Sequence, residues 1–230
     1  MPRKPKRIPS IITEEELNKV CYFRLKSKKG LSELDKFACL RDVVMFKLIY
    51  YNGLRPRECY DSKLKYLNLE NKTFYIPAQS NKQRHQDIIP LQDFIVELLE
   101  KYMKLRDKYF KNSVWLFPSK INKEKPVYRG TFVRAFKKSV KDAGLLQYSY
   151  TDKQNKPRYN LTLYSLRHSF ATLCYSKTKD IRKTAVMLRH RDFMCRSTLI
   201  YIHTAENLDK RKLLDEIFKE RKEVSQKMYL

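Results

Sequence analysis

Apolar residues in the first half of the chain recur at helical spacing, and the breaks between runs carry capping and turn residues. Thr13 followed by Glu16 is a capping-box signature, so a helix opens there. Lys26 to Gly30 follows as a basic loop. A longer helix is predicted from about Leu34 to Asn52, with Phe37, Leu40, Val44 and Leu48 on one face. Gly53 ends it and Pro56 begins a short helix one turn later, which leaves Arg55 in a tight corner. From Leu64 to Leu91 the period changes. Leu67 and Leu69, then Phe74 and Ile76, then Ile88 and Ile89 read as strands of a small three-stranded antiparallel sheet. Glu70 and Asn71 make one turn; Ser80 to His85 makes a polar, basic one carrying Lys82 and Arg84.

Helical period returns from Leu91 to Tyr109 and again from Thr131 to Ala143, where Gly144 stops it. Between them Trp115 to Pro118 is an apolar anchor. Leu145 to Asn160 is polar and tyrosine-rich, a surface loop or an extra hairpin. Leu163, Leu166, Phe170 and Leu173 then mark a buried helix with Thr162 as its N-cap. Arg167 lies beside that apolar stripe, where desolvation calls for an anionic partner. A structural carboxylate is one such partner and a bound anionic group is the other. A helix over Asp180 to Leu188, a basic turn around His190, Arg191 and Asp192, and a short segment holding Tyr201 come next. Glu206 to Val224 is amphipathic, with Leu213, Leu214, Ile217 and Phe218 on one side, and must bury that stripe on this domain or on a neighbouring molecule.

Composition narrows the partner. The 230 residues suffice for one well-filled core, or one large domain with a short appendage. Lysine and arginine number 50 against 25 acidic residues, a formal charge of +25. Such an excess repels itself in a compact fold and calls for a polyanion, nucleic acid first and an anionic membrane surface second. No long uncharged apolar run provides a transmembrane helix. Met1 to Arg7 lacks the apolar core of a signal peptide and reads as a basic arm. Five scattered cysteines without a CxxC pair read as reduced thiols of an intracellular protein. Four histidines show no paired-ligand spacing, so no metal site is expected. Four glycines without a GxxxxGK[ST] run speak against a phosphate-cradling nucleotide loop, and no cofactor is expected.

Five polar residues stand where the pattern does not demand them: Arg55, Lys82, Arg167, His190 and Tyr201. Each has an ordinary explanation alone, as a helix cap, an exposed turn lysine, an ion pair, a core histidine or simple packing. Their order and surroundings point elsewhere. Gly53-Leu54-Arg55-Pro56-Arg57-Glu58 resembles the first arginine box of the tyrosine recombinases, the phage-integrase and Xer-like family. Ser80 to Lys82, running on to Ile89-Pro90-Leu91, is similar to that family's hairpin lysine and the strand end after it. Leu166-Arg167-His168-Ser169-Phe170-Ala171-Thr172 resembles the second box, HxLRHxFAT. Met187-Leu188-Arg189-His190 resembles the LGH box, and Ser197 to His203 the segment of the nucleophilic tyrosine. Five boxes in order cover nearly the whole chain.

The resemblance implies an α+β catalytic fold, mainly helical with the small three-stranded sheet, and a site-specific recombinase or integrase. Its implied catalytic set is Arg55, Lys82, Tyr164, Arg167, His190 and Tyr201, with Tyr201 the nucleophile of a 3′-phosphotyrosyl intermediate. Lys82 is the implied general acid, and His190 donates to the phosphate. Arg57, Arg84, His168, Arg189 and Arg191 are the expected DNA contacts. Such chemistry places positive donors on the phosphate and needs no metal. The implied partners are double-stranded DNA and further copies of the chain, a tetramer on two DNA sites, with no membrane and an intracellular, DNA-associated location. A catalytically impaired DNA-binding protein and a topoisomerase of the same chemistry are the alternatives.

The chain departs from the family pattern at three places. Tyr164 stands where the family carries histidine, and a tyrosine is a poor base near pH 7. Arg189 replaces the glycine of LGH, so distortion is expected in the turn that presents His190. The interval from His190 to Tyr201 is about two residues longer than usual, which adds freedom to the nucleophile segment. Arg84 and His85 are fallback general acids, and Tyr229 is a remote alternative nucleophile. The expected organisation is a basic arm over 1–10, a catalytic domain over 11–205 and an amphipathic helix and tail over 206–230. Ile8 to Thr13 already looks like the entry to the catalytic domain, so the helical core-binding domain that the family places ahead of it is not expected in this sequence. The sequence reads either as a catalytic fragment or as a small recombinase that grips DNA with its basic surface and Met1–Arg7 arm.

Overall fold

The structure, a computed structural model, describes residues 9–26, 31–80, 86–152, 154–190 and 198–217. The chain divides into two compact units, Ser10–Phe170 and a second formed by Met1–Pro9 with Ala171–Leu230. The division falls inside a helix.

The larger unit is built around one long helix. Helix α1 (Glu14–Leu25) opens with the expected reciprocal cap: Thr13 Oγ1 accepts the Glu16 N–H and Glu16 Oε2 accepts the Thr13 N–H. Helix α2 (Glu33–Asn52) is capped by Ser32 and ends at Gly53, whose φ of 60° is left-handed. Most of α2 is buried, because it lies between two other helices. Phe37 packs on Tyr102 and Phe110 of α4 (Asp93–Phe110), at 5.6 and 4.7 Å between ring centroids. Phe46 packs on Phe132 and Phe136 of α5 (Arg129–Asp142), at 5.5 and 5.1 Å. Buried charge is matched locally: Asp42, with no exposed side chain, takes Arg24 at 2.6 Å and Arg41 at 2.9 Å. Leu116 and Phe117 are fully buried, as an anchor should be.

Pro56 begins α3 (Pro56–Tyr60) as expected. The sheet is antiparallel in the order β1 (Leu67–Asn68), β2 (Thr73–Ile76), β3 (Asp87–Pro90). Phe74 faces Ile89 across the ladder and both are buried, while Ile88 is exposed. The first strand is shorter than its apolar pattern suggested. Asn68 Oδ1 accepts the Asn71 N–H at 2.7 Å, which pulls the backbone into a turn before Leu69 can pair. Helix α4 begins at Asp93 rather than Leu91, because Gln92 is extended (ψ 152°) as its N-cap and Leu91 stays tied to the sheet, its N–H held by the Lys72 carbonyl at 2.7 Å.

Leu145 to Asn160 resolves as the extra hairpin, β4 (Tyr148–Thr151) and β5 (Pro157–Tyr159). Asp152 closes it, accepting the Gln154 and Lys156 N–H groups and pairing with Arg158. Helix α6 (Leu163–Thr178) buries Leu163, Leu166 and Phe170, but Leu173 is 44% exposed, so the inward stripe stops one turn early. In the second unit, α7 (Ile181–Met187) is capped by Asp180. Tyr201 lies in the first turn of α8 (Ile200–Ile217), one continuous helix where the sequence pattern suggested a short segment and a separate tail. No helix among the described residues is long and apolar enough to cross a membrane.

Candidate active site

Two arginines meet at the corner where α2 ends. The left-handed Gly53 turns the chain, Leu54 is buried, and Arg55 stands at the N-cap of α3. Glu58, at N3 and with no exposed side chain, holds Arg55 twice. Its Oε2 accepts the Arg55 N–H at 2.7 Å, and its Oε1 takes the guanidinium Nη1 at 2.7 Å. Arg55 is thereby aimed by a buried carboxylate and stays 22% exposed at its side chain. From α6, Arg167, 4% exposed, donates through Nη1 to the Gly53 carbonyl, two residues from Arg55. Phe170 seals the same spot, its ring occupying the space that a Cβ on residue 53 would need, 2.4 Å from Cδ1. The Gly53 carbonyl thus helps fix the direction of the buried arginine.

The start of α6 is fastened from several sides. Ser165 Oγ accepts the Thr162 N–H at 3.0 Å, and Ser169 Oγ accepts the Ile12 N–H at 2.8 Å. Tyr164 is 51% exposed on this helix, one turn before Arg167 and His168. Burial, reinforced by the charge of Arg167, pushes His168 down to about 4, so this ring is neutral at pH 7. Any part it takes at a phosphate is that of a neutral donor. Arg57 is exposed and paired with Asp61 at 3.1 Å.

The second unit holds His190 and Tyr201. Helix α7 ends in a Schellman motif: the His190 N–H bonds the Ala185 carbonyl at 2.9 Å and the Arg189 N–H bonds the Val186 carbonyl at 2.8 Å. Arg189 takes the left-handed conformation, φ 56°, that glycine ordinarily fills there. The turn expected to be distorted is therefore formed, with the arginine bearing the strain. His190 Nδ1 lies 2.9 Å from Thr198 Oγ1, and Tyr201 is 4% exposed.

The structure thus brings Arg55 and Arg167 to one corner, and describes His190 and Tyr201 in the other unit. Lys82, Arg84, His85, Arg191 and Tyr229 lie outside the described residues. Among the described residues no group of three or more His, Cys, Asp or Glu is placed to hold a metal ion. Sequence reasoning missed Glu58, Phe170 and Thr198 as supports. Glu58 had a signal in its position three residues after an N-cap. Phe170 and Thr198 had none, because their contacts depend on how the chain folds back.

A mainly helical domain with a small antiparallel sheet and this arginine corner has the architecture of tyrosine-recombinase catalytic domains. The fold matches the crystal structure of XerA recombinase with a TM-score of 0.65 at 20% identity, over 94% of this chain and 66% of that one. Residues 22–207 match the phage integrase family, and the chain belongs to it. It is 30% identical over 221 residues to tyrosine recombinase XerA of Pyrococcus horikoshii, covering 94% of this chain and 66% of that protein's length. It is also similar to XerH site-specific recombinase, solved in a post-cleavage complex with its palindromic difH substrate. There the identity is 25% and the TM-score 0.65, over 92% of this chain and 53% of that one.

Proposed function

We propose that this chain is the catalytic region of a site-specific recombinase that cleaves and rejoins double-stranded DNA through a 3′-phosphotyrosyl intermediate. The observation that carries the reading is the Gly53 carbonyl, which ties Arg167 to the corner presenting Arg55. In this reading the two guanidinium forks bind the non-bridging oxygens of the scissile phosphate, where negative charge grows as the phosphorane forms. Tyr201 Oη bonds to phosphorus and the bond from phosphorus to the 5′ oxygen breaks. Tyr201 loses its proton during attack, and Lys82 gives one to the departing 5′ oxygen. His190 donates to the phosphate, and exposed Tyr164 acts as a neutral donor. The phosphotyrosyl bond retains the energy of the phosphodiester, so attack by another 5′ hydroxyl rejoins the strand. The net charge of +25 suits the polyanionic substrate.

The reading extends to an intracellular homotetramer acting on two duplexes, with the C-terminal tail docking on an adjacent copy. Deleting Glu206 to Lys222 then lowers recombination more than single-site DNA binding. Equal losses would argue for packing within one chain.

The deciding experiment incubates the protein with a nicked suicide DNA substrate carrying its recombination site. A covalent adduct is expected from the native chain and none from Tyr201→Phe; full adduct from that variant removes Tyr201 as nucleophile. Salt-dependent binding without any adduct would mark a DNA-binding protein that has lost catalysis, the outcome that Tyr164 in place of histidine favours. Relaxation of supercoiled DNA without site preference would mark a topoisomerase.

A further inference from the structure

Thr198 touches both functional residues of the second unit and has no role in the reading above. Its side chain is fully buried, with Oγ1 2.9 Å from Nδ1 of His190. Its carbonyl accepts the Tyr201 N–H at 3.0 Å, the bond that starts the helix bearing the tyrosine. One residue thus grips the imidazole with its side chain and the nucleophile's backbone with its main chain.

The identity of the side chain matters. A buried β-branched residue has little χ1 freedom, so its hydroxyl is a fixed point rather than a searching one. The Schellman turn already sets the His190 backbone, and the hydroxyl then sets the ring. In a neutral imidazole one nitrogen carries the proton and the other accepts, and the partner of one decides the state of the other. A hydroxyl that donates to Nδ1 leaves the proton on Nε2, the nitrogen that would donate to a phosphate oxygen in the reading above. The bond also bears on the long interval between His190 and Tyr201. The histidine is fastened directly to a residue one turn from the tyrosine, so extra chain between them need not loosen either group.

We infer that Thr198 is a positioning residue that holds His190 as the Nε2–H donor and sets the start of the Tyr201 helix. The inference rests on the functional reading above for its catalytic meaning, but its geometric part can be measured without DNA. The experiment records ring-nitrogen NMR of the 15N-histidine-labelled full chain, with the four histidines assigned through His190→Gln and its counterparts. The native chain and Thr198→Ser should show Nε2–H at His190. Thr198→Val, which keeps shape and removes the hydroxyl, should show a mixed or Nδ1–H pattern. With the suicide substrate, Thr198→Val should form adduct about 10- to 100-fold more slowly with DNA retention unchanged, and Thr198→Ser should recover most of the rate.

An unchanged ring pattern in Thr198→Val overturns the inference, and so does a serine variant that behaves like valine. Should the valine variant fail to fold, Thr198→Ser decides: the native tautomer supports the inference and a lost one overturns it. If the native chain forms no adduct and Thr198→Val still shifts the tautomer, the recombinase reading falls while the positioning role stands.

Discussion

Gly53→Ala tests the arginine corner directly. The new methyl meets two separate penalties. A left-handed φ of 60° costs alanine about 1–2 kcal/mol, offset by about 0.4–1 kcal/mol from the stiffer unfolded chain. The Cβ would also stand 2.4 Å from Phe170 Cδ1, and relieving such overpacking costs about 1–3 kcal/mol. The net expectation is a loss of about 2–4 kcal/mol, from the sum of these terms. Guanidinium unfolding followed by the fluorescence of Trp115, the only tryptophan and in the same unit, measures it. Phe170→Leu makes room for the methyl at its own cost of about 1–2 kcal/mol. The double variant should therefore be more stable than the sum of the singles predicts, by about 1–2 kcal/mol. Adduct formation should fall in Gly53→Ala, because the ring and Arg167 move together on α6. A loss below about 0.5 kcal/mol, or strict additivity with Phe170→Leu, would refute the close approach on which the corner depends.

Substitutions at three further positions probe other supports. Glu58→Gln keeps an acceptor for the Arg55 N–H but removes the buried charge, so it should cost about 1–3 kcal/mol in chemical denaturation. The same variant should slow adduct formation by roughly tenfold with DNA retention held. His168 is held neutral in the fold, so the unfolded chain binds more protons between its ordinary 6.5 and about 4. The resulting stability penalty is absent above the ordinary value, grows as pH falls through this window and is complete below about 4. It amounts to about 3–4 kcal/mol, and His168→Gln should flatten that part of a stability-versus-pH series. Arg189→Gly should stay within about 1 kcal/mol of the native chain, since relief at φ 56° is countered by a looser unfolded state. Arg189→Val, branched at a left-handed position, should lose about 1–3 kcal/mol by thermal unfolding.

Features set by local chemistry could be read from the chain alone. The Thr13–Glu16 cap, the Gly53 stop, the Pro56 start and the alternation of Phe74 and Ile76 each need only neighbouring residues. The misreadings came from competition that periodicity does not register. The Asn68 side chain cut β1 short, the Lys72 carbonyl delayed α4, and Leu173 kept the period of a stripe while lying in solvent. For the candidate site, residue types and their order could be read from the chain, but not the contacts that support them. Nothing local says that Arg167 finds the Gly53 carbonyl 114 residues away, or that Arg189 can fill a glycine's place in the turn before His190.

Helix α2 also decides how long the arginine corner keeps its shape. Val44, Met45, Phe46, Leu48 and Ile49 are wholly buried, so their amides meet solvent only when the unit as a whole opens. Every residue of β4 is exposed and its hairpin has two strands, so those amides exchange through local opening. In hydrogen–deuterium exchange the protected segment should run to the end of α2 and stop where Gly53 begins the turn to Arg55. Arg55 would then stand just beyond the slowest-exchanging stretch of its unit, so its aim should persist through every fluctuation short of unfolding.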